Sequence, residues 1–120
     1  MKSFIELDVW QKAHHLFLDT SGDITKFPQT RAAKVITDQV LRSIGSISAN
    51  ISEGFNAAST KEYIHYLDIA RRSTAESENW FYKIRDLRYL DSAISEIRIG
   101  TCIDINKMLC GLRKSLKNKM

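Results

Sequence analysis

The chain contains little proline, glycine or cysteine. One proline and five glycines stand among 120 residues, too few for a loop-rich or many-stranded fold, whose turns need both residue types. The two cysteines, Cys102 and Cys110, lie eight residues apart. On one helix that spacing is a rise of about 12 Å, which is too far for a disulfide. We therefore expect two buried thiols in a reducing compartment rather than a redox pair.

Long apolar runs are also missing. A membrane-spanning helix needs about 18 or more apolar residues in succession, and Glu6 and Asp8 stand where a signal peptide would be apolar. The expectation is a cytoplasmic, soluble protein with no membrane partner. Hydrophobic residues make up 43% of the chain and charged residues 27%. That composition predicts a single domain over residues 1–120 with a core of its own.

Acidic residues are absent from the end of the chain, where basic residues collect. Lys plus Arg is 18 and Asp plus Glu is 14, so the formal net charge is +4. The whole excess lies in the basic tail, residues 113–120, whose cations are Arg113, Lys114, Lys117 and Lys119. One interpretation is a helix C-terminus whose cations oppose the macrodipole. The other is a surface that contacts phosphate groups, and charge alone leaves both open.

Hydrophobic periodicity predicts four helices and no strand. We expect the helices over residues 6–26, 30–53, 59–89 and from 92 into the basic tail. The Phe27-Pro28 step ends the first helix, Gly54 stops the second, and Asp91 or Ser92 caps the fourth. Long helices with short connections predict an all-α fold, an antiparallel up-down-up-down four-helix bundle.

Mainly apolar residues that recur at helical spacing predict which face each helix turns to the core. In the first and second helices these positions are Leu7, Trp10, His14, Phe17, Ser21 and Ile24, then Ile36, Val40, Ile44, Ile47 and Ile51. In the third and fourth they are Tyr63, Leu67, Ala70, Thr74, Ser77, Phe81, Ile84 and Leu87, then Ile94, Ile97, Thr101, Ile105, Met108, Leu112 and Leu116. Ser59 and Glu62 have the spacing of a capping box at the start of the third helix.

Two features predict a homo-oligomer. Trp80, Phe81 and Tyr82 are consecutive, and since each helical step turns by about 100° they cannot all enter one core. Tyr82 then lies either at the surface or between subunits. The second helix carries a polar, mostly small stripe that permits close helix approach within the bundle or between subunits. Its members are Gln39, Ser43, Ser46, Asn50 and Glu53.

Motifs for catalysis are missing. A di-iron bundle needs Glu-x-x-His on two helices, and only Glu62 and His65 fit, with Glu62 already explained by capping. The side chains of His14 and His15 diverge by about 100°. There is no Gly-rich phosphate loop and no nucleophile elbow. We expect no enzyme, no metal and no cofactor.

Nucleic-acid binding has somewhat more support in the sequence than catalysis does. Arg71 and Arg72 lie on the third helix, interleaved with acids such as Asp68, which is typical of a solvated mixed-charge face. No helix-turn-helix, zinc finger or aromatic RNA-binding motif is present. Any nucleic acid would therefore be recognised by backbone charge and shape rather than by base readout.

Several segments together carry a family resemblance. They are LDVWQKA at residues 7–13, Phe27-Pro28, SISANISEG at 46–54, YLDIA at 66–70 and GLRKSL at 111–116. On these segments the chain resembles the 23S rRNA-intervening-sequence protein family over nearly its whole length. The resemblance implies an antiparallel four-helix bundle that assembles into a ring-like homopentamer, in a family without established catalysis.

A related branch is the accessory protein of diversity-generating retroelements, a basic pentameric barrel that binds nucleic acid and a partner reverse transcriptase. Ser48 stands where the family usually has Pro, and Leu41 where it often has a second Arg. The first departure predicts a straighter second helix. The second makes a basic surface like that of the retroelement branch less expected.

The sequence as a whole predicts a cytoplasmic, non-enzymatic homopentamer that binds structured RNA or DNA weakly and with little sequence preference. The predicted phosphate contacts are Arg113, Lys114, Lys117 and Lys119 of the tail, with Arg42, Arg71 and Arg72. The alternative is a protein-interaction scaffold or accessory subunit with no nucleic-acid binding of its own.

Overall fold

A computed structural model describes all 120 residues and contains four α-helices and no strand. The helices are α1 (Asp8–Asp23), α2 (Arg31–Phe55), α3 (Thr60–Asp86) and α4 (Ser92–Asn118). Short 3-10 turns at Phe4–Glu6 and Ile24–Lys26 flank α1. The predicted all-α four-helix fold is confirmed.

Consecutive helices run antiparallel and close into a bundle 48 Å long and 20 Å across. The pairs α2–α3 and α3–α4 pack most extensively, and α1 lies against both α2 and α4. Since α2 and α4 both run opposite to α3, they share one direction. The last turns of α4 therefore lie at the end of the bundle where α2 ends and α3 begins.

Side-chain caps fix three of the helix starts. The Thr30 hydroxyl accepts from the Ala33 amide at 3.2 Å, and the Asp91 carboxylate accepts from the Ala93 amide at 2.7 Å. The Ser59 hydroxyl accepts from the Glu62 amide at 3.2 Å, as predicted. These three residues satisfy amide groups that the first turn of a helix leaves without partners.

The capping box predicted at Ser59 is only half formed. The Glu62 carboxylate accepts from the amide of Ala58 at 3.4 Å instead of that of Ser59. A complete box forms instead at Ser3 and Glu6, before the first 3-10 turn. There the amides of Lys2 and Ser3 donate to the Glu6 carboxylate, which lowers the pKa of Glu6.

Gly54 does not stop α2, contrary to the prediction. The helix continues through Phe55 and is capped at Asn56. Gly54 is buried, and a Cβ added there would lie 2.9 Å from Cδ1 of Tyr63 and 3.1 Å from Cβ of Tyr66. Glycine is therefore required at this position by the close approach of α3, not by helix termination.

The core faces predicted for α2 and most of α3 are confirmed. All five apolar positions of the α2 stripe are buried, as are the six positions from Leu67 to Ile84 on α3. The two end positions differ: Tyr63 is half-buried and Leu87 has 51% of its surface exposed. Leu87 is the C-cap just past the last residue of α3, and Arg88 then takes a left-handed conformation (φ 60°), so the buried face of the helix does not extend to Leu87.

The predicted faces of α1 and α4 are rotated from the observed ones. In α1 the buried residues after Leu7 are Val9, Ala13, Leu16, Thr20 and Asp23. Trp10, His14 and Phe17 are half-buried, and Phe17 lies over Gly45 of α2. Small Ala13 and Thr20 allow α1 to approach the core closely, whereas the larger rings fit only along its edge.

In α4 only Ile105 of the predicted stripe is buried. The observed core face consists of Ser95, Ile99, Cys102, Ile105 and Leu109. Ile97 is 60% exposed and the other predicted positions are half-buried. Large apolar residues occur around most of the α4 circumference, so their spacing did not mark one face.

Candidate nucleic-acid interface

An open groove of about 630 Å³ runs between α3 and α4 and brings three of the predicted phosphate contacts together. Its walls are formed by His65, Asp68, Arg71, Arg72 and Ala75 of α3 and by Asn106 and Arg113 of α4. On α3 these residues recur at spacings of three and four, which places them on one helix face. On α4, Asn106 and Arg113 are seven residues apart, or about two turns.

One carboxylate lies among three guanidinium groups in this groove. The Arg113 Nε donates to Oδ1 of Asp68 at 2.7 Å, and Nη1 of Arg71 lies 3.6 Å from the same oxygen. Arg72 is exposed and forms no ion pair. The groove therefore keeps an excess of two positive charges, which favours an anion.

Arg71 has a polar atom without a partner. Its Nε is inaccessible to solvent and forms no hydrogen bond. A buried donor in this state costs about 1–3 kcal/mol, and native proteins rarely leave one unpaired. His65, which also lines the groove, lies edge-on to Tyr66, with ring centroids 5.6 Å apart.

The lysines of the basic tail remain available to solvent. Lys114, Lys117 and Lys119 are exposed and form no ion pair. Lys117 lies one turn beyond Arg113 on α4 and extends the same helix side toward the end of the bundle, whereas Lys114 diverges from Arg113 by about 100°. Lys117 lies in the last turn of α4, where a cation also stabilises the helix dipole. The positions of these cations fit both interpretations: stabilisation of the helix dipole and contact with phosphate groups.

Arg42 lies apart from the groove. It pairs with the carboxylate of Glu76 across the α2–α3 contact and donates to Oε1 of Gln39 at 3.0 Å. Glu76 also accepts from Nε1 of Trp80 at 3.2 Å. The charge of Arg42 is thus matched by a neighbouring acid, on the side of α3 that faces α2.

The two features that predicted an oligomer are both accommodated within one chain. The small stripe of α2 packs on α3, with Oγ–Oγ distances of 2.9 Å between Ser43 and Ser77 and 3.0 Å between Ser46 and Ser73. Phe81 is fully buried. Tyr82 lies at the surface, where its hydroxyl donates to Glu78 at 3.1 Å and its pKa is raised by that bond.

The remaining reactive groups are few. Burial raises the pKa of the Cys102 thiol to about 12, which holds it protonated. No three His, Cys, Asp or Glu side chains lie close enough together to hold a metal ion. None of the four helices is long and apolar enough to cross a bilayer.

Sequence reasoning missed three of the groove residues as site residues: His65, Asp68 and Asn106. Asp68 precedes Arg71 by three positions, a spacing that indicates contact on a helix and could have drawn attention to it. No local signal links Asn106 or Arg113 to α3, because that contact arises only when α3 and α4 pack antiparallel.

The fold and the groove define a small antiparallel helical bundle with basic residues on the α3–α4 face and at one end. Residues 5–111 match the family described as 23S rRNA-intervening sequence protein, and the chain belongs to that family. The basic tail begins just beyond the matched residues, whereas Arg42, Arg71 and Arg72 lie within them.

A solved structure from Bacteroides thetaiotaomicron has a similar fold. It is described as a protein of unknown function from the S23 ribosomal protein family. The two are 27% identical with a TM-score of 0.80, over 88% of this chain and 95% of that one. Among curated proteins, none matches this chain.

Proposed function

We propose that this protein is a non-enzymatic, homo-oligomeric helical bundle that binds structured RNA or DNA weakly and with little sequence preference. The observation that carries the proposal is that the three cations of the groove are followed, along the end of α4, by three exposed lysines without ion pairs. These cations are Arg71, Arg72 and Arg113 in the groove and Lys114, Lys117 and Lys119 beyond it. The family description, which names an rRNA intervening sequence, supports the same class of partner.

The chemistry of these cations suits a phosphate backbone. The tail lysines carry no partner that must be displaced before they reach a phosphate. Arg and Lys contacts to phosphate are independent of sequence and release condensed counterions. Arg42 contributes least in this proposal, because Glu76 already neutralises it.

Assembly would multiply this charge. A net charge of +4 per chain gives 5 × 4 = +20 in the homopentamer that the family resemblance implies. The half-buried rings of Trp10 and Phe17, with Phe4 at 5.4 Å from Trp10, form an aromatic strip along α1. Such a strip favours contact with another subunit. The proposal places the protein in the cytoplasm, where Cys102 and Cys110 stay reduced.

Binding of a fluorescent RNA hairpin at stepped salt concentrations tests this function. We expect affinity to fall steeply with salt, with a log–log slope near one ion per phosphate contact. Replacing Lys114, Lys117 and Lys119 with Gln should weaken binding and lower that slope by about 2–3.

The matched control replaces Lys26, Arg31 and Lys34 with Gln. These are three unpaired, exposed cations at the opposite end of the bundle, so the change in net charge is the same. Equal loss of RNA affinity in both triple variants would show that net charge alone, rather than the position of the tail lysines, accounts for binding. No loss in the tail variant would refute the role of the tail.

The second candidate function is a protein-interaction scaffold, favoured by the aromatic strip of α1. A packed protein interface responds far less to salt than phosphate contacts do. A complex with a polypeptide that survives high salt, together with no RNA binding at low salt, would establish this alternative.

A further inference from the structure

We propose that the groove between α3 and α4 is a built site for one phosphate-class oxyanion, held by Arg71, Arg72 and Arg113. The inference rests on the proposed function where the phosphate belongs to a nucleic acid. Free inorganic phosphate is a second source of the same chemistry. The site differs from the tail lysines, which are point charges on an open surface, because it is concave and presents planar guanidinium donors from two helices.

The groove has charge left over for an anion. Asp68 is its one carboxylate and is shared between Arg113 at 2.7 Å and Arg71 at 3.6 Å. No acid pairs with Arg72. A tetrahedral oxyanion would match the remaining charge, and guanidinium groups bind phosphate through two parallel N–H donors.

The groove also has hydrogen-bond donors left over. Arg113 uses only its Nε toward Asp68, and the side chains of Arg72 and Asn106 donate to no protein acceptor. The Nε of Arg71 is also unpartnered but is inaccessible to solvent, so only the rest of this guanidinium, on a side chain that is 38% exposed, can reach a ligand. Donors that converge on one cavity and lack acceptors in the free protein are typical of a site that a ligand completes.

Asp68 acts in this site as an internal competitor for the anion. Its carboxylate occupies one edge of Arg113 and approaches one of Arg71, where it also holds both side chains in place. Its negative charge opposes an entering oxyanion over a few ångströms. An amide in its place keeps an oxygen that accepts from Arg113 but removes the repulsion.

The test is a titration of the full-length protein with inorganic phosphate at constant ionic strength, followed by the ³¹P line width. We expect saturable broadening in the native protein and about tenfold weaker binding in Arg71→Gln and Arg113→Gln. Arg72→Gln, which removes no contact within the protein, should weaken binding without affecting the fold. Arg31→Gln is the control and should bind as the native protein does.

Asp68→Asn should change phosphate affinity in the opposite direction. It should bind phosphate several-fold more tightly, because the local charge rises by one. The inference is overturned if the three groove variants bind like Arg31→Gln, or if Asp68→Asn binds more weakly while circular dichroism shows the native helix content.

The RNA hairpin then separates the two sources of phosphate. If the groove variants weaken both ligands in parallel, the site takes a nucleic-acid phosphate. If they weaken only phosphate binding, the site stands and takes a free oxyanion, whether or not the hairpin binds elsewhere. Hairpin binding without any phosphate binding in the groove overturns this inference and leaves the proposed function in place.

Discussion

Asp68 and Arg113 are 45 residues apart in the chain and are joined by a hydrogen bond of 2.7 Å from Nε to Oδ1. This bond attaches the start of the basic tail to the first third of α3. Arg71 shares the same carboxylate from a position one turn along α3. The Asp68 carboxylate thus holds a cation from each of two helices, Arg71 and Arg113, in a single groove.

Removing this carboxylate should loosen the end of α4. In Asp68→Ala we expect faster amide hydrogen exchange over residues 113–118, because Arg113 loses its partner and the apolar residues of the last turns, Leu112 and Leu116, are only half-buried. Hydrogen exchange read by mass spectrometry checks this, with the α4 segment 99–109 as internal reference. Unchanged exchange in the last turns would show that packing of Leu112 and Leu116 alone holds them.

Two glycines should respond to alanine in opposite directions. Gly54→Ala places a Cβ 2.9 Å from Tyr63, so we expect a loss of about 1–3 kcal/mol in the free energy of unfolding. Gly22 lies in α1 with nothing within 4 Å of the added Cβ, and Gly22→Ala should gain about 0.5–1 kcal/mol. Urea denaturation measures both. A stable Gly54→Ala protein would contradict the close approach of α2 and α3.

The ion pair between Asp23 and Arg98 should be the most costly to break. Asp23 accepts from Nε of Arg98 at 2.7 Å and from Nη2 at 3.0 Å, and their side chains are only 8% and 16% exposed. Their hydrogen bond raises the pKa of Arg98, so the guanidinium stays charged.

Asp23→Ala leaves that charge with only the distant Asp19 at 3.7 Å. We expect a loss of about 3 kcal/mol in the free energy of unfolding. Asp86→Ala removes an exposed partner of Arg85 and serves as the control, with a loss below about 1 kcal/mol. Comparable losses in the two variants would contradict the account.

The two thiols should differ in reactivity and in their effect on alkaline stability. Cys102 is buried with a pKa of about 12, whereas Cys110 is half-buried. We expect a disulfide reagent at pH 8 to label one thiol of the folded protein, and Cys110→Ala to abolish that labelling. Labelling of both cysteines in the folded state would contradict the burial of Cys102.

The raised pKa of Cys102 also sets a pH window. The ordinary thiol value is 9.0, so between pH 9 and about 12 the unfolded state loses a proton that the folded state keeps. The stabilisation from the neutral thiol is complete below pH 9 and declines as pH rises. From pH 8 to pH 10 the native protein should lose about 1.4 kcal/mol more than Cys102→Ala does, measured by urea denaturation.

The positions of the helices are predicted well because helix ends carry local sequence signals. The buried face of a helix is predicted well only where apolar residues form a single stripe. Helix α2 has isoleucines at regular spacing with polar neighbours, and its whole face is confirmed. Helix α4 buries Ser95 and Cys102 while Ile97 remains 60% exposed. Which side of such a helix packs inward depends on its neighbours, and no pattern within α4 contains that information.

Of the candidate site, too, the sequence predicts some residues but not how they come together. Arg71 and Arg72 are adjacent in the sequence and share the groove, and residue type alone identified them. Their association with Arg113 requires α4 to return antiparallel to α3. Glu76 neutralises Arg42 through another contact between residues far apart in the sequence, 34 positions in this case. Long-range pairing, which residue type and spacing do not reveal, decides which cations are free to bind a phosphate.

Size-exclusion chromatography with light scattering, run with and without a structured RNA at near-physiological salt, tests the central claim most directly. The account predicts an oligomer of the 13.8 kDa chain, five subunits by family resemblance, that elutes together with the RNA. An oligomer that ignores RNA would favour the scaffold function. A monomer that does not bind RNA would contradict both the assembly and the proposed function.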